Sequence, residues 1–69
     1  MSGTIRLNGE DQPWSDQSLR DLVAGAGVDL DKGGVAIARN GEVVPRADWA
    51  QTRLEPDDRI EIVRIVRGG

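Results

Sequence analysis

The sequence predicts an α+β fold in which a mixed sheet packs on a single helix, in the order β-β-α-β-β-β. Two Asn-Gly pairs, each flanked by short runs of alternating apolar residues, predict two hairpins. Between them lies one segment whose apolar residues follow helical spacing. One amphipathic helix can cover only one face of a sheet. All the strands are therefore expected to form a single sheet that packs one face against this helix.

The first hairpin is predicted from the stretch TIRLNGE. Ile5 and Leu7 alternate with a polar residue, which is the period of a half-buried strand. Asn8–Gly9 then supplies residues that accept the positive φ of a two-residue turn. The second strand is expected over residues 10–14. Because Pro13 has no N–H to donate, this strand should lie at an edge of the sheet.

The helix is predicted from the stretch SLRDLVAGAG. Ser18 can cap its first turn, with Asp21 three residues later as the reciprocal partner. Gly27 suits the left-handed position that ends a helix. Four apolar residues at positions i, i+3, i+4 and i+7 form the face that should be buried: Leu19, Leu22, Val23 and Ala26.

The second half of the chain predicts another hairpin, a turn and a last strand. In VAIARNGEVV the strands pair around Asn40–Gly41, and Pro45 ends the pairing. A helical turn in RADWAQ is expected to place Trp49 over the core. The last strand, RIEIVRIV, should lie parallel to the first, a contact that hairpin turns alone cannot supply. This is the β-grasp arrangement.

Length and composition limit the function classes. The 69 residues suffice for one domain, predicted over residues 1–66 and followed by a flexible tail at 67–69. The absence of cysteine and histidine excludes disulfides, thiolate zinc sites and a cysteine nucleophile, and removes the commonest general base. The acidic pairs Glu10–Asp11 and Asp57–Asp58 match no calcium loop, so we expect them to be solvated and predict no metal site.

The charge and hydropathy patterns argue against two kinds of partner. The net charge of −3, with no basic stripe among aromatic residues, predicts that the chain does not bind nucleic acid. No stretch is apolar for long enough to span a bilayer, and no signal peptide opens the chain, so no membrane association is predicted and a cytoplasmic location is expected.

The segment AIARNGEVVPRADWAQ, the acidic turn EPDD and an apolar strand ending in GG together resemble the ThiS family, the sulfur carriers of thiamine thiazole biosynthesis. The resemblance implies a ubiquitin-like β-grasp fold. It also implies a protein cosubstrate rather than an enzyme. It further implies that an ATP-using, E1-like activating enzyme adenylates the terminal carboxylate, and that this group becomes a thiocarboxylate with sulfur supplied indirectly by a desulfurase. The implied acceptor of the sulfur is thiazole synthase. ATP is used by the activating partner, and no cofactor is expected on the carrier itself.

Under this resemblance the last three residues form the functional site. Gly69 is predicted to carry the adenylate and the thiocarboxylate, while Gly68 and Arg67 give access to partner sites. Residues without side chains can pass a narrow channel that a Cβ would block. Three extended residues reach about 10 Å, which suits delivery into another protein.

The last strand predicts a docking surface near this tail. Val63 and Ile65 should share one face of the sheet with Ala36 and Ala38, because Ile60 and Ile62 take the other face by alternation. With only one helix available, these four residues should form an exposed apolar patch, which often marks a docking surface. Arg64 and Arg67 lie next to it in sequence and are candidates for pairing with acidic residues of a partner.

Three other functions stay open at this point. A sulfur carrier of the molybdopterin synthase small-subunit type uses the same tail chemistry. A ubiquitin-like modifier joined to lysines is compatible with the ending VRGG, in which Arg67 precedes the glycines as in ubiquitin. A β-grasp interaction module without covalent chemistry is the third.

Overall fold

The computed structural model describes residues 3–28 and 34–64. Within them the chain forms a mixed five-stranded sheet and one α-helix, which confirms the predicted α+β class and element order. The strands lie in the order β2-β1-β5-β3-β4. Their bounds are β1 Thr4–Leu7, β2 Glu10–Pro13, β3 Val35–Arg39, β4 Glu42–Val43 and β5 Arg59–Arg64, with the helix α1 at Leu19–Gly25 and a 3₁₀ turn at Arg46–Asp48.

The two hairpins and the parallel contact follow the prediction. Asn8 and Asn40 adopt positive φ angles of 51° and 53°, and the glycine after each does the same. β1 pairs with β5 in parallel, and the other pairings of the sheet are antiparallel. β2 lies at an edge, as Pro13 requires, and it ends at that residue, one position earlier than predicted.

The helix begins as predicted and ends earlier. Ser18 accepts a hydrogen bond from the Asp21 backbone at 3.1 Å, and the Asp21 carboxylate accepts one from the Ser18 backbone at 3.4 Å. The prediction was wrong at Ala26, which is an exposed C-cap outside the buried face. Gly25 is a poor helix former and Gly27 turns left-handed at φ 83°, so the backbone leaves the helix before Ala26 comes round to the core.

The core lies between α1 and one face of the sheet. Trp49, predicted to cover it, is 3% exposed and donates its ring N–H to the Val44 carbonyl at 2.8 Å. Burying an indole requires such a partner. Leu54, which lies outside every predicted element, is equally buried. The complete buried apolar set is Ile5, Leu7, Leu19, Leu22, Val23, Ile37, Trp49, Leu54 and Ile60.

A buried carboxylate ties the turn before β5 to the second hairpin. Asp58 was expected to be solvated, but it is 4% exposed. Its oxygens accept hydrogen bonds from Arg39 Nε at 2.9 Å, Asn40 Nδ2 at 3.0 Å and the Glu55 backbone at 2.9 Å. Burial alone would raise the pKa of Asp58, but these hydrogen bonds and the Arg39 charge outweigh it and hold the pKa below 3.8.

We predict that Asp58→Asn lowers the free energy of unfolding by about 2–3 kcal/mol, because it removes the charge facing Arg39 and sets an amide against donors. A pKa that is lower in the folded state gives stability that is present above pH 3.8 and lost as the pH falls through the folded pKa. Denaturant unfolding at several pH values should therefore show a steeper loss of stability below pH 3.8 in the wild type than in the variant.

The matched control for this experiment is Asp57→Asn. Asp57 is exposed and has a φ of 73°, a conformation that asparagine accepts. An equal loss of stability in the two variants, or the same pH dependence in wild type and Asp58→Asn, would contradict a structural role for the buried carboxylate.

Candidate functional site

The candidate site begins at the end of β5. On one side, β3 pairs with β5 as far as Val35↔Arg64. On the other side, the register with β1 ends at Leu7↔Ile60. The reactive end predicted from the sequence lies beyond Arg64, and Ile65, Arg67, Gly68 and Gly69 are outside the described residues. Their roles, and the division of the chain at residue 66, stay predictions.

The outer face of the sheet, opposite α1, carries an apolar strip formed by Ala36, Ala38, Val43 and Val63. In the antiparallel registers Ala36 lies opposite Val63, and Ala38 lies opposite Val43, so these side chains share one face. Val63 is 51% exposed and Val43 is 72% exposed, while the two alanines are half-buried. The predicted placement of Ala36, Ala38 and Val63 on a common face is confirmed, and their role in docking stays a prediction.

Val43 was missing from the predicted patch, although the sequence contained a signal for it. A two-residue turn at Asn40–Gly41 pairs Arg39 with Glu42, and therefore Ala38 with Val43. Residues that lie opposite each other in a hairpin point to the same face. Counting outward from the turn would have placed Val43 on the strip.

Arg64 was expected beside the patch, and the register corrects this. It lies opposite Val35, and alternation along β5 puts it on the face that carries α1, away from Val63. Charges on the outer face come instead from Arg59 and Glu61, which alternate with Val63 along the same strand. The apolar strip is therefore bordered by charges of both signs.

A groove of about 370 Å³ lies beside the strip, between the first hairpin turn and β5. Asn8, Arg59, Glu61 and Val63 are among the residues that line it. Within residues 3–28 and 34–64, no three acidic side chains are grouped so that they could hold a metal ion. No helix in the same ranges combines the length and apolar character needed to cross a bilayer.

Comparison with known proteins agrees with the fold and with the sequence motif. The model of the ThiS family matches residues 5–69, a range that includes the two terminal glycines. The crystal structure of the thiamine biosynthesis protein ThiS from Geobacter metallireducens superposes with a TM-score of 0.79, covering 96% of this chain and 99% of that one. The two share 22% sequence identity, so this likeness concerns the fold.

Relatives of known name fall into two groups. Thiazole synthases of Paramagnetospirillum magneticum and Magnetococcus marinus are 38% identical over 64 and 66 residues, which cover 91% and 94% of this chain. These matches cover only 19% and 20% of the synthases, so the chain spans about a fifth of their length. The sulfur carrier protein ThiS of Escherichia coli is 36% identical over 42 residues, covering 61% of this chain and 64% of that one.

Proposed function

Because the chain belongs to the ThiS family, we propose that it carries sulfur for thiamine biosynthesis as a thiocarboxylate on Gly69. The observation that carries the proposal is the family match through residue 69, at the end of the segment that follows β5. Under this proposal the carrier is a cosubstrate of other enzymes and performs no catalysis itself.

The proposed chemistry begins at the terminal carboxylate. Its pKa in a free chain is about 3.3–3.7, so it is an anion at neutral pH and a poor electrophile. Attack of a carboxylate oxygen on the α-phosphorus of ATP forms an acyl-adenylate and releases pyrophosphate. The outer sulfur of a persulfide on a partner protein then attacks the acyl carbon, so a C–S bond forms as the C–O bond to AMP breaks. A partner thiolate attacks the other sulfur of the resulting acyl disulfide; the S–S bond breaks, the thiocarboxylate leaves, and a disulfide remains on the partner. The activating partner supplies the ATP site and its metal.

The proposed partners are an E1-like activating enzyme, a desulfurase that supplies sulfur indirectly, and thiazole synthase as the acceptor. The relatives named thiazole synthase support the last of these, because each contains a segment that matches almost all of this chain. In those proteins a carrier-like segment and the remaining polypeptide belong to one chain. The use of ATP favours a cytoplasmic location.

We also propose that the apolar strip is the surface on which these partners dock. A partner that reads the terminal carboxyl must also hold the folded body, and the strip includes Val63 on the strand that leads to the tail. Exposed valines are the part of the strip whose burial would contribute most to binding. The flanking Arg59 and Glu61 can exclude partners with mismatched charge.

The comparisons favour the thiamine pathway over the molybdopterin alternative, since the named relatives are a ThiS carrier and thiazole synthases. A lysine-conjugated modifier and a non-covalent interaction module differ from the carrier in the product they form. A modifier gives adducts of higher mass, and a module gives no change in mass.

We predict that co-expression of the carrier with the activating enzyme and a sulfur source raises the intact mass of the carrier by about 16 Da. The gain arises because sulfur replaces one oxygen of its terminal carboxyl group. Deletion of Gly69 should abolish this gain and ATP–pyrophosphate exchange. The melting temperature should move by no more than about one degree, since the deleted residue has no side chain to pack. Normal exchange by the truncated chain, or an unchanged mass for the full chain, would contradict the proposal.

For the docking surface, we predict that Val63→Lys raises the carrier concentration at half-maximal ATP–pyrophosphate exchange by about tenfold or more, because a charge replaces one of the two exposed valines of the proposed interface. Thiazole formation should show the same effect. The fold should persist, because Val63 is half exposed.

The control is Thr4→Lys, an exposed position that shares the outer face. Thr4 lies on β1, the neighbour of β5, but the register of Arg6 with Arg59 places it level with the start of β5 and away from Val63. Its half-saturating concentration should remain close to that of the wild type. The docking proposal fails if the two lysine variants behave alike.

A further inference from the structure

The asparagines of the two hairpin turns bind different parts of β5: Asn40 binds its first residue, and Asn8 binds its middle. Asn40 donates its backbone N–H to the Arg59 carbonyl at 2.8 Å, and its side-chain oxygen accepts from the Arg59 N–H at 2.9 Å. Asn8 donates its backbone N–H to the Ile60 carbonyl at 2.9 Å, and its side-chain oxygen accepts from the Ile62 N–H at 2.8 Å. Asn40 therefore holds the beginning of β5, and Asn8 holds the later part of the strand that leads to the tail.

The hydrogen bond from the Ile62 N–H to the Asn8 side chain replaces a backbone hydrogen bond that β1 would make if it continued along β5. The register between β1 and β5 ends at Leu7↔Ile60, and the chain then turns away through Asn8–Gly9. The N–H of Ile62 faces the side of β5 that β1 has left, and the Asn8 oxygen takes the place of a strand carbonyl. The pairing with β3 continues to Arg64 on the other side. Ile62 is thus fixed from both sides, two residues before the described strand ends.

We propose that Asn8 is a positioning residue for the sulfur-transfer chemistry. It fixes the direction in which β5 leads towards Gly69, so that one partner can engage the apolar strip and the reactive carboxyl together. The inference rests on the function proposed above. It concerns a residue in the first hairpin turn, remote in sequence from the tail and outside the strip.

The expected effect follows from pre-organisation. When two parts of one molecule must engage a partner together, the second contact gains from being held at the correct place relative to the first. If the end of β5 samples more directions, only a fraction of the carriers is competent to bind, and the apparent affinity falls by that fraction. Once bound, the carboxyl reacts as before, so the change should appear in KM and not in kcat.

A turn role and a positioning role can be separated by substitution. Gly-Gly is itself a good two-residue hairpin turn, so Asn8→Gly keeps the positive φ and removes the side chain, including the oxygen that accepts from Ile62. Asn8→Asp keeps an acceptor at the same place and also tolerates this backbone conformation. Asn40→Gly is the matched control, because it makes the same change in the other turn, at the far end of β5.

The experiment combines amide hydrogen exchange with ATP–pyrophosphate exchange by the activating enzyme, using the full chain. Asn8→Gly should speed exchange of the Ile62 amide about three- to tenfold, as expected for the loss of one hydrogen bond. It should raise the KM for the carrier about three- to tenfold, with kcat within about twofold of the wild type. Asn8→Asp should restore both quantities.

Asn40→Gly should lower the melting temperature at least as much as Asn8→Gly does, because Asn40 also binds the buried Asp58. Its KM should nevertheless stay at the wild-type value. A wild-type KM in Asn8→Gly, or an equal rise in both glycine variants, overturns the positioning role and leaves the proposed function intact. A wild-type chain that supports no exchange with the activating enzyme overturns the two together.

Discussion

The parallel pairing of β1 with β5 is the constraint on which the rest of the structure depends. It brings the end of the described chain into the middle of the sheet, between the two hairpins. Ile60, at the centre of this contact, is 1% exposed and packs in the same core as Leu7 and Leu19. A strand held on both sides and backed by a helix gives the residues that follow it a fixed starting point. Loss of that pairing would disrupt the core and free the end of β5 together.

The two faces of the sheet differ in burial: one packs the core, and the other carries the proposed docking strip. The face under α1 holds the buried side chains, and the turn that precedes β5 is fastened to the second hairpin by the Asp58 carboxylate. The outer face leaves Val43 and Val63 exposed between charged residues. Since folding does not require these valines to be buried, their apolar surface is available for binding. The proposed carrier role needs this separation, because partners must bind and leave without disturbing the core.

Local chemistry accounts for the parts of the fold that the sequence predicted. Asn-Gly turns have few conformational alternatives, and period-two alternation assigns faces once the turn fixes the register. The capping box at Ser18 likewise follows from hydrogen bonds within one turn. The errors arose where a distant contact or a competing local signal decided the outcome. Asp58 can be buried because Arg39, which is remote in sequence, donates a hydrogen bond to its carboxylate. The glycines around Ala26 ended the helix before its apolar period was complete.

The candidate site was predictable to a similar degree. Alternation gave the faces of Val63 and Ala36, whereas the position of Arg64 required the same rule to be applied one residue further. The bond from Asn8 to Ile62 could not be foreseen, because it joins residues 54 positions apart through a side chain. It depends on where β1 stops relative to β5, which is a property of the assembled sheet. The family match through residue 69 is what links this sheet to the proposed chemistry of the tail.

The central claim is that the α-carboxyl group of Gly69 is the reactive group and that the folded body presents it. The most direct measurement compares ATP–pyrophosphate exchange by the activating enzyme on the free-acid chain and on the same chain with its terminal carboxyl converted to an amide. An amide nitrogen cannot attack ATP as a carboxylate oxygen does, so exchange should be lost while the circular dichroism and melting curve stay unchanged. Undiminished exchange on the amidated chain would contradict the account.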